Sequence, residues 1–298
     1  MSLRLYDAHN HLQDERFGGW QSELLSACAR EGVVCMVVNG SCEEDWPQVL
    51  ALGPQFGRDA FHRVPFSSEK VRDGVEPVPT TSEPRPSPQI IPSFGYHPWY
   101  IHERTADWLK SLVSFLDQVP SVVGEIGLDR WKPGLPYDDQ EEVFLAQLQL
   151  AAERNLPVSI HCLQAWGRMF DLLKAGPRPE RGFLLHSYGG PKEMVKPFTD
   201  LGAYFSLPGY YAHERKERQR ETFRHVPGER LLIETDAPDQ SLPTGRIRFE
   251  LQNAAGKPLN HPANLRAVYE FAAELFGEPI EALAARVEEN FRRLFGER

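Results

Sequence analysis

The chain has 298 residues, a length that accommodates one large barrel or two ordinary domains. Hydrophobic residues make up 41% of it and charged residues 25%, which is typical of a globular protein, and no apolar run is long enough to span a bilayer. The net charge of −9 argues against a protein that coats nucleic acid through bulk positive charge, but it leaves room for a local phosphate site.

The start of the chain and the cysteines both bear on its location. Arg4 and Asp7 interrupt the first apolar residues, so we expect no secretory signal before the first predicted strand. The four cysteines show neither CxxC pairing nor zinc-finger spacing. We therefore expect free thiols and a cytoplasmic protein, with no membrane association and no obligate protein partner.

Short β-like runs alternate with longer helical stretches along the chain. The predicted strands are 3–7, 33–39, 90–96, 122–126, 158–161, 183–186, 203–206 and 231–235. Helical stretches include 20–30, 105–118, 138–154 and 165–174. Many of the strands are almost entirely apolar, as in a parallel sheet that is covered on both faces.

Eight β-α units in this length predict an α/β fold, namely a TIM-type (β/α)8 barrel that forms a single domain over residues 1–298. An open doubly wound sheet is the alternative. A Pro-rich segment at about 57–89 predicts an extended insertion before the third strand. A second long loop is predicted at 239–260, and closing helices follow within 261–298, at 265–276 and 280–294.

Residue types that bind metals stand at the predicted strand ends. His9 and His11 are two residues apart on the first strand, so they point to the same face and can share one ion. Taken alone, this pair is also compatible with a chance surface arrangement. Further candidates end the fourth, fifth, sixth and eighth strands, namely Glu125, His161, His186 and Asp236. Because the carboxyl ends of barrel strands meet at one mouth, all six are expected to converge.

Six ligands exceed the four or so that close a structural zinc site. A carboxylate in the middle of such a set can bridge two ions about 3.5–4 Å apart. We predict that Glu125 is this bridge. One divalent ion would bind His9, His11 and Asp236, and the other would bind His161 and His186. Mixed imidazole and carboxylate ligation suits zinc, manganese, iron or nickel better than magnesium alone.

Four sequence motifs resemble those of the TatD-related metal-dependent deoxyribonucleases, a family of amidohydrolase-like barrels. They are residues 7–11 (DAHNH), 95–99 (GYHPW), 124–129 (GEIGLD) and 234–238 (ETDAP), and residues 260–262 and 290–295 extend the match over nearly the whole chain. The resemblance implies a TIM-type barrel with one or two divalent metals that hydrolyses phosphodiester bonds, often from a DNA 3′ end. It also supports the six ligand assignments.

The predicted mechanism is attack by a metal-bound hydroxide, for which Asp236 is both a ligand and the acceptor of the water proton. His97 stands at the same mouth outside the ligand set. An imidazole there suits phosphate binding or proton donation to the leaving oxygen, although a helix-start histidine fixed by Pro98 is the alternative. The predicted catalytic residues are thus Asp236, Glu125 and His97.

Substrate-binding candidates surround this set. Trp99 offers a surface on which a base can stack, although a core or rim tryptophan fits equally well. Asn260 resembles the family's late loop asparagine. Arg246 and Arg248 follow the eighth strand, a region where barrels often bind phosphate, and His97 completes the predicted set. We expect the substrate to be DNA or a nucleotide phosphodiester, bound locally at the mouth.

The rim of the predicted site departs from the family pattern. Residues 162–166 (CLQAW) stand where relatives carry a polar stretch with an arginine, and Asp239 replaces an aromatic or apolar residue. Because such changes alter substrate contacts and not the metals, a small-molecule amidohydrolase or esterase with the same metal site is the alternative function. A barrel with a purely structural metal is a third hypothesis.

Overall fold

Eight parallel strands form a barrel in the computed structural model of the chain, which describes residues 3–57 and 86–296. The strands follow one another around the barrel in chain order. They are β1 Leu5–Asn10, β2 Val33–Asn39, β3 Gln89–Phe94, β4 Val122–Asp129, β5 Val158–Leu163, β6 Phe183–Leu185, β7 Ala203–Pro208 and β8 Leu231–Glu234.

Backbone hydrogen bonds join the last strand to the first. The Asp236 amide donates to the His9 carbonyl at 3.0 Å, and the His11 amide donates to the Ala237 carbonyl at 2.8 Å. These bonds exclude the open doubly wound sheet, and the predicted TIM-type barrel is confirmed.

Helices surround the strands. They are α1 Gln21–Glu31, α2 Trp46–Gly57, α3 Trp108–Gln118, α4 Tyr137–Arg154, α5 Trp166–Ala175, α6 Val195–Asp200, α7 Glu217–Phe223, α8 Leu265–Phe276 and α9 Ile280–Phe295. The last two helices pack over the junction of β1 and β8. The Tyr269 hydroxyl accepts from the Tyr6 amide and donates to the Tyr6 carbonyl, and the Asn290 amide donates to the carbonyls of Gly228 and Leu231.

Four strands, β1, β4, β5 and β7, are longer than predicted. β1 continues to Asn10 and β4 continues to Asp129, so His9 and Glu125 lie within strands and not at their ends. Every residue of these two strands is buried. Polar side chains in such positions need partners, since an unpaired buried polar group is destabilising by several kcal/mol.

Other boundaries also differ from the prediction. The segment 239–260, expected to be a loop, contains an antiparallel hairpin of β9 Glu250–Gln252 and β10 Pro258–Asn260. Most of the predicted Pro-rich insertion, 57–89, lies outside the described residues. In the described part of the chain, no helix combines the length and the hydrophobicity that a membrane span needs. All four cysteines are buried free thiols, as predicted.

Candidate metal centre

Four predicted ligand atoms converge at the carboxyl end of the barrel. The Nε2 atoms of His9 and His11 lie 3.3 Å apart, and they lie 3.3 and 3.2 Å from Oε2 of Glu125. Oδ1 of Asp236 lies 3.7 Å from the first of these nitrogens and 3.6 Å from the second. Ligands that bind one ion at about 2.0–2.2 Å stand roughly 3–3.5 Å from one another, so these atoms fit a single cation.

The other carboxylate oxygen of Glu125 faces a second group of histidines. Its Oε1 lies 2.8 Å from Nε2 of His186 and 3.1 Å from Nδ1 of His161. The same oxygen lies 3.4 Å from Nε2 of His97. The two oxygens of one carboxylate therefore face two separate donor groups, which is the arrangement of a bridging ligand.

Hydrogen bonds on the outer side of three histidines fix which nitrogen is free to bind a cation. His11 Nδ1 donates to the Asn39 carbonyl at 2.8 Å, which leaves Nε2 with its lone pair. His9 Nδ1 lies 2.8 Å from the Ser159 hydroxyl. His161 uses the opposite nitrogen, since its Nε2 lies 3.0 Å from Oδ2 of Asp129 and its Nδ1 faces the centre.

His97 has the opposite arrangement. Its Nδ1 accepts the backbone N–H of Trp99 at 3.1 Å, so the neutral ring carries its proton on Nε2, the nitrogen that faces Glu125. Burial lowers the pKa of His97 to about 4, which keeps the ring neutral near pH 7. His97 is thus a hydrogen-bond donor toward the centre, whereas His11 and His161 present lone pairs.

His186 is held less firmly than the other histidines. In the described ranges its buried Nδ1 makes no hydrogen bond, and the nearest carboxylate oxygen, Oε1 of Glu234, is 3.8 Å away. Glu234 itself accepts hydrogen bonds from the hydroxyls of Ser187 and Ser206. A cation at Nε2 would strengthen the attraction between His186 and this buried carboxylate.

Close contact between β4 and β5 brings Glu125 and His161 together. Gly127 lies opposite His161 in the strand ladder, and a Cβ atom at this glycine would stand 1.9 Å from the His161 carbonyl oxygen. Only glycine permits this approach. The second glycine of the motif at 124–129 is therefore required for the geometry of the site.

The electrostatics of the site reflect its burial. Burial raises the pKa of Asp236 to about 7, and the nearby carboxylates of Glu234 and Glu125 add to the rise. Burial also opposes ionisation of Glu125, but the adjacent His186 keeps the pKa of this carboxylate well below its usual value. Divalent cations would compensate this concentration of buried carboxylates, so the donor set fits the metals expected from the sequence.

Loop residues after β8 hold Asp236 in place. Nε2 of Gln240 donates to Oδ2 of Asp236 at 2.6 Å, which leaves Oδ1 facing His9 and His11. The preceding residue, Thr235, donates through its amide and its hydroxyl to the buried carboxylate of Asp7, at 2.9 and 2.6 Å. Asp7 therefore positions the end of β8.

The structure places the remaining predicted residues outside the ligand cluster. Nε1 of Trp99 donates to Oδ2 of Asp129 at 2.6 Å, so this indole supports the partner of His161. Asn260 is buried, and its amide donates to the Thr235 carbonyl at 2.8 Å. For both residues, contact with substrate stays a prediction.

The two predicted arginines are engaged elsewhere. Arg246 pairs with Glu274 and Arg248 pairs with Glu270, each at 2.7 Å, and both glutamates lie on the outer helix α8. Within the ranges 3–57 and 86–296, neither guanidinium contacts a predicted metal ligand. The sequence position of the two arginines after β8 gave no sign of these carboxylate partners.

Three supporting residues were not among the predicted site residues. They are Asp129, Ser159 and Gln240. Asp129 belongs to the recognised motif at 124–129, and a carboxylate at the end of a strand that bears a ligand was a usable signal. Ser159 stands two residues before His161 on the same strand, whereas nothing in the sequence around Gln240 marks it.

The chain is similar to known proteins of one family over most of its length. A family model described as TatD related DNase matches residues 6–296. The 3′-5′ ssDNA/RNA exonuclease TatD of Escherichia fergusonii is 34% identical over 212 residues, which cover 70% of this chain and 79% of that protein. YabD of Bacillus subtilis, an uncharacterized metal-dependent hydrolase, is 31% identical over 98% of both chains.

A solved structure shows the same family resemblance. The crystal structure of YjjV, a TatD homologue from Escherichia coli K12, has a TM-score of 0.80 with this chain at 25% identity, and the match covers all of both chains. The chain belongs to the family of TatD-related DNases and is a metal-dependent hydrolase.

Proposed function

We propose that the protein is a phosphodiesterase that cleaves DNA with two divalent ions, one on each side of Glu125. The proposal rests on the two oxygens of this carboxylate, which face different histidines. Oε2 faces His9 and His11, and Oε1 faces His161 and His186. Asp236 completes the first group. The mixed imidazole and carboxylate set favours zinc, manganese, iron or nickel over magnesium.

Each reacting group then has a defined task. Divalent ions in such a site lower the pKa of bound water and offset the charge of the phosphate. The carboxylate of Asp236 would receive the proton of the attacking water, and Gln240 holds this carboxylate in place through Oδ2. Nε2–H of His97 donates to an oxygen of the phosphate or to the leaving oxygen, because its Nδ1 is occupied by the Trp99 amide.

A DNA 3′ end is the proposed point of attack. The name of the Escherichia fergusonii relative, 3′-5′ ssDNA/RNA exonuclease, supports this polarity. The ligand groups lie at the mouth of a barrel whose interior is filled by side chains, so a strand end can reach them from solvent without threading through the protein.

Cleavage of end-labelled single-stranded DNA tests the proposal. Metal-loaded protein should shorten 5′-labelled DNA in steps, and Glu125→Gln should lose most of this activity, because an amide is a weaker and singly ligating bridge. Equal cleavage by the two proteins would reject the assignment. Hydrolysis of amides or lactones by protein that leaves DNA intact would favour the small-molecule alternative.

A further inference from the structure

An exposed tryptophan stands on the loop that follows β4, the strand that carries Glu125. Trp131 exposes 59% of its surface. Among the described residues only four large hydrophobic side chains are exposed, and Trp131 and Trp20 are the two indoles among them. An indole left in water on the loop after a strand that bears a predicted ligand offers a flat apolar surface that a ligand can cover.

The backbone of this loop is anchored to the metal centre. The amides of Trp131 and Lys132 donate to Oδ1 of Asp129 at 2.7 and 2.9 Å. The other oxygen of the same carboxylate accepts from Nε2 of His161. One carboxylate therefore links the backbone of residues 131 and 132 to a predicted metal ligand, which fixes the position of the loop beside the centre.

Lys132 adds a positive charge on the inner side of the same loop. Its Nζ lies 4.5 Å from the centroid of the Trp99 ring, and that ring lies 5.3 Å from the ring of His97. Lys132 forms no ion pair with any residue that the structure describes. The neighbouring Arg130, by contrast, pairs with Glu141.

We propose that Trp131 and Lys132 form a platform for single-stranded nucleic acid, on which an unpaired base stacks on the indole while the ammonium binds a backbone phosphate. The chemistry favours this occupant because exposed aromatic rings beside cations bind unpaired bases with little regard to sequence. Bases within a duplex are stacked on both sides by their neighbours, so they have no free face that could stack on the indole. The inference rests on the proposed function, and it assigns to the loop after β4 the nucleotides that flank the cleaved bond.

Kinetics with two substrates test the platform. One substrate is a single strand of about 12 nucleotides, and the other is an abasic strand of the same length, which has no aromatic ring to stack. We expect Trp131→Ala to raise KM for the oligonucleotide about tenfold, with kcat and the hydrolysis of the abasic strand unchanged. Trp131→Phe keeps a stacking ring and should restore most of the affinity.

Trp20→Ala is the matched control, because it removes an equally exposed indole from the loop after β1 and should leave KM within about twofold. Lys132→Ala should raise KM and flatten its dependence on salt. An unchanged KM in Trp131→Ala would overturn the inference. So would an equal loss on both substrates, or a changed oligomeric state with KM unaltered, which would assign the indole to a protein contact.

Fluorescence anisotropy with the same labelled oligonucleotide separates failure of the inference from failure of the proposed function. Binding that depends on Trp131 in a protein that does not cleave DNA would reject the proposed function alone. Cleavage of DNA with binding that is identical in wild type and Trp131→Ala would reject the platform alone.

Discussion

Oδ2 of Asp129 lies 3.0 Å from Nε2 of His161, and this contact turns Nδ1 of the imidazole toward Glu125. The same oxygen accepts from the Trp99 indole at 2.6 Å. A carboxylate in this position fixes the tautomer of a ligand histidine and makes it a stronger donor to a cation. Asp129 thus orients a predicted metal ligand without facing the centre itself.

Asp129→Asn should weaken metal binding and activity by about 10–100-fold. In one orientation the asparagine turns its NH2 group toward Nε2–H of His161, so two donors face each other. In the other orientation the NH2 group faces the backbone amides of residues 131 and 132, and their hydrogen bonds are lost. Titration with a competing chelator measures the affinity. Asp139→Asn, which removes a carboxylate paired with Arg104 on the surface, is the control and should leave affinity unchanged. An Asp129→Asn protein with wild-type metal affinity would contradict this account.

His97→Ala should leave the metal content intact and lower kcat by about 10²–10³-fold, the loss expected when one hydrogen-bond donor to the transition state is removed. The reason is that Nε2 of His97 carries a proton, so the ring donates to substrate and does not ligate. Metal content by mass spectrometry and kcat are measured on the same preparation. Loss of an ion in this variant would show that His97 is a ligand.

Chelation should abolish activity while the barrel stays folded. The ring of eight strands and the buried apolar side chains do not depend on the ligands. Ions that bind only the folded state still raise its stability, so the melting temperature should fall by several degrees. Far-UV circular dichroism reports the fold. Complete unfolding on chelation would instead favour the hypothesis of a purely structural metal.

His261 should make stability depend on pH. Its Nδ1 accepts the Ala263 amide at 3.0 Å, and burial, with a contribution from Arg30, lowers its pKa to about 4. Below about pH 6.5 the unfolded chain binds a proton that the folded protein refuses, so stability is lost as pH falls from about 6.5 toward 4. From pH 7.5 to 5 the loss attributable to this group is about 2 kcal/mol.

His261→Asn isolates this effect, because an asparagine oxygen can accept the same amide and does not titrate. The free energy of unfolding is measured for both proteins by denaturant at the two pH values. We expect wild type to lose about 2 kcal/mol more than the variant. Identical pH dependence would show that His261 does not carry the shift.

The convergence of the six predicted ligands could be foreseen because it depends on few variables. Residues two apart on a strand share a face, which accounts for His9 and His11, and parallel strands of a barrel end at one mouth. The exact ends of the strands had little effect on this prediction. Glu125 reaches the centre although β4 continues four residues beyond it to Asp129.

The supporting contacts depend on register and on loop paths, which local pattern does not determine. Asp129 meets His161 because Gly127, and no neighbouring residue, pairs with that histidine across the ladder. Arg246 and Arg248 follow β8 as expected, but the hairpin of β9 and β10 shapes their loop, and carboxylates of α8 bind both guanidinium groups. Such pairings arise between residues distant in sequence.

The number of divalent ions per chain tests the bridging role of Glu125 most directly. Titration of metal-free protein, followed by calorimetry, should show two ions bound by wild type. In Glu125→Gln at least one of them should be lost, because Oε1 and Oε2 serve different histidine groups. A single ion in wild type, retained with the same affinity in Glu125→Gln, would contradict the account.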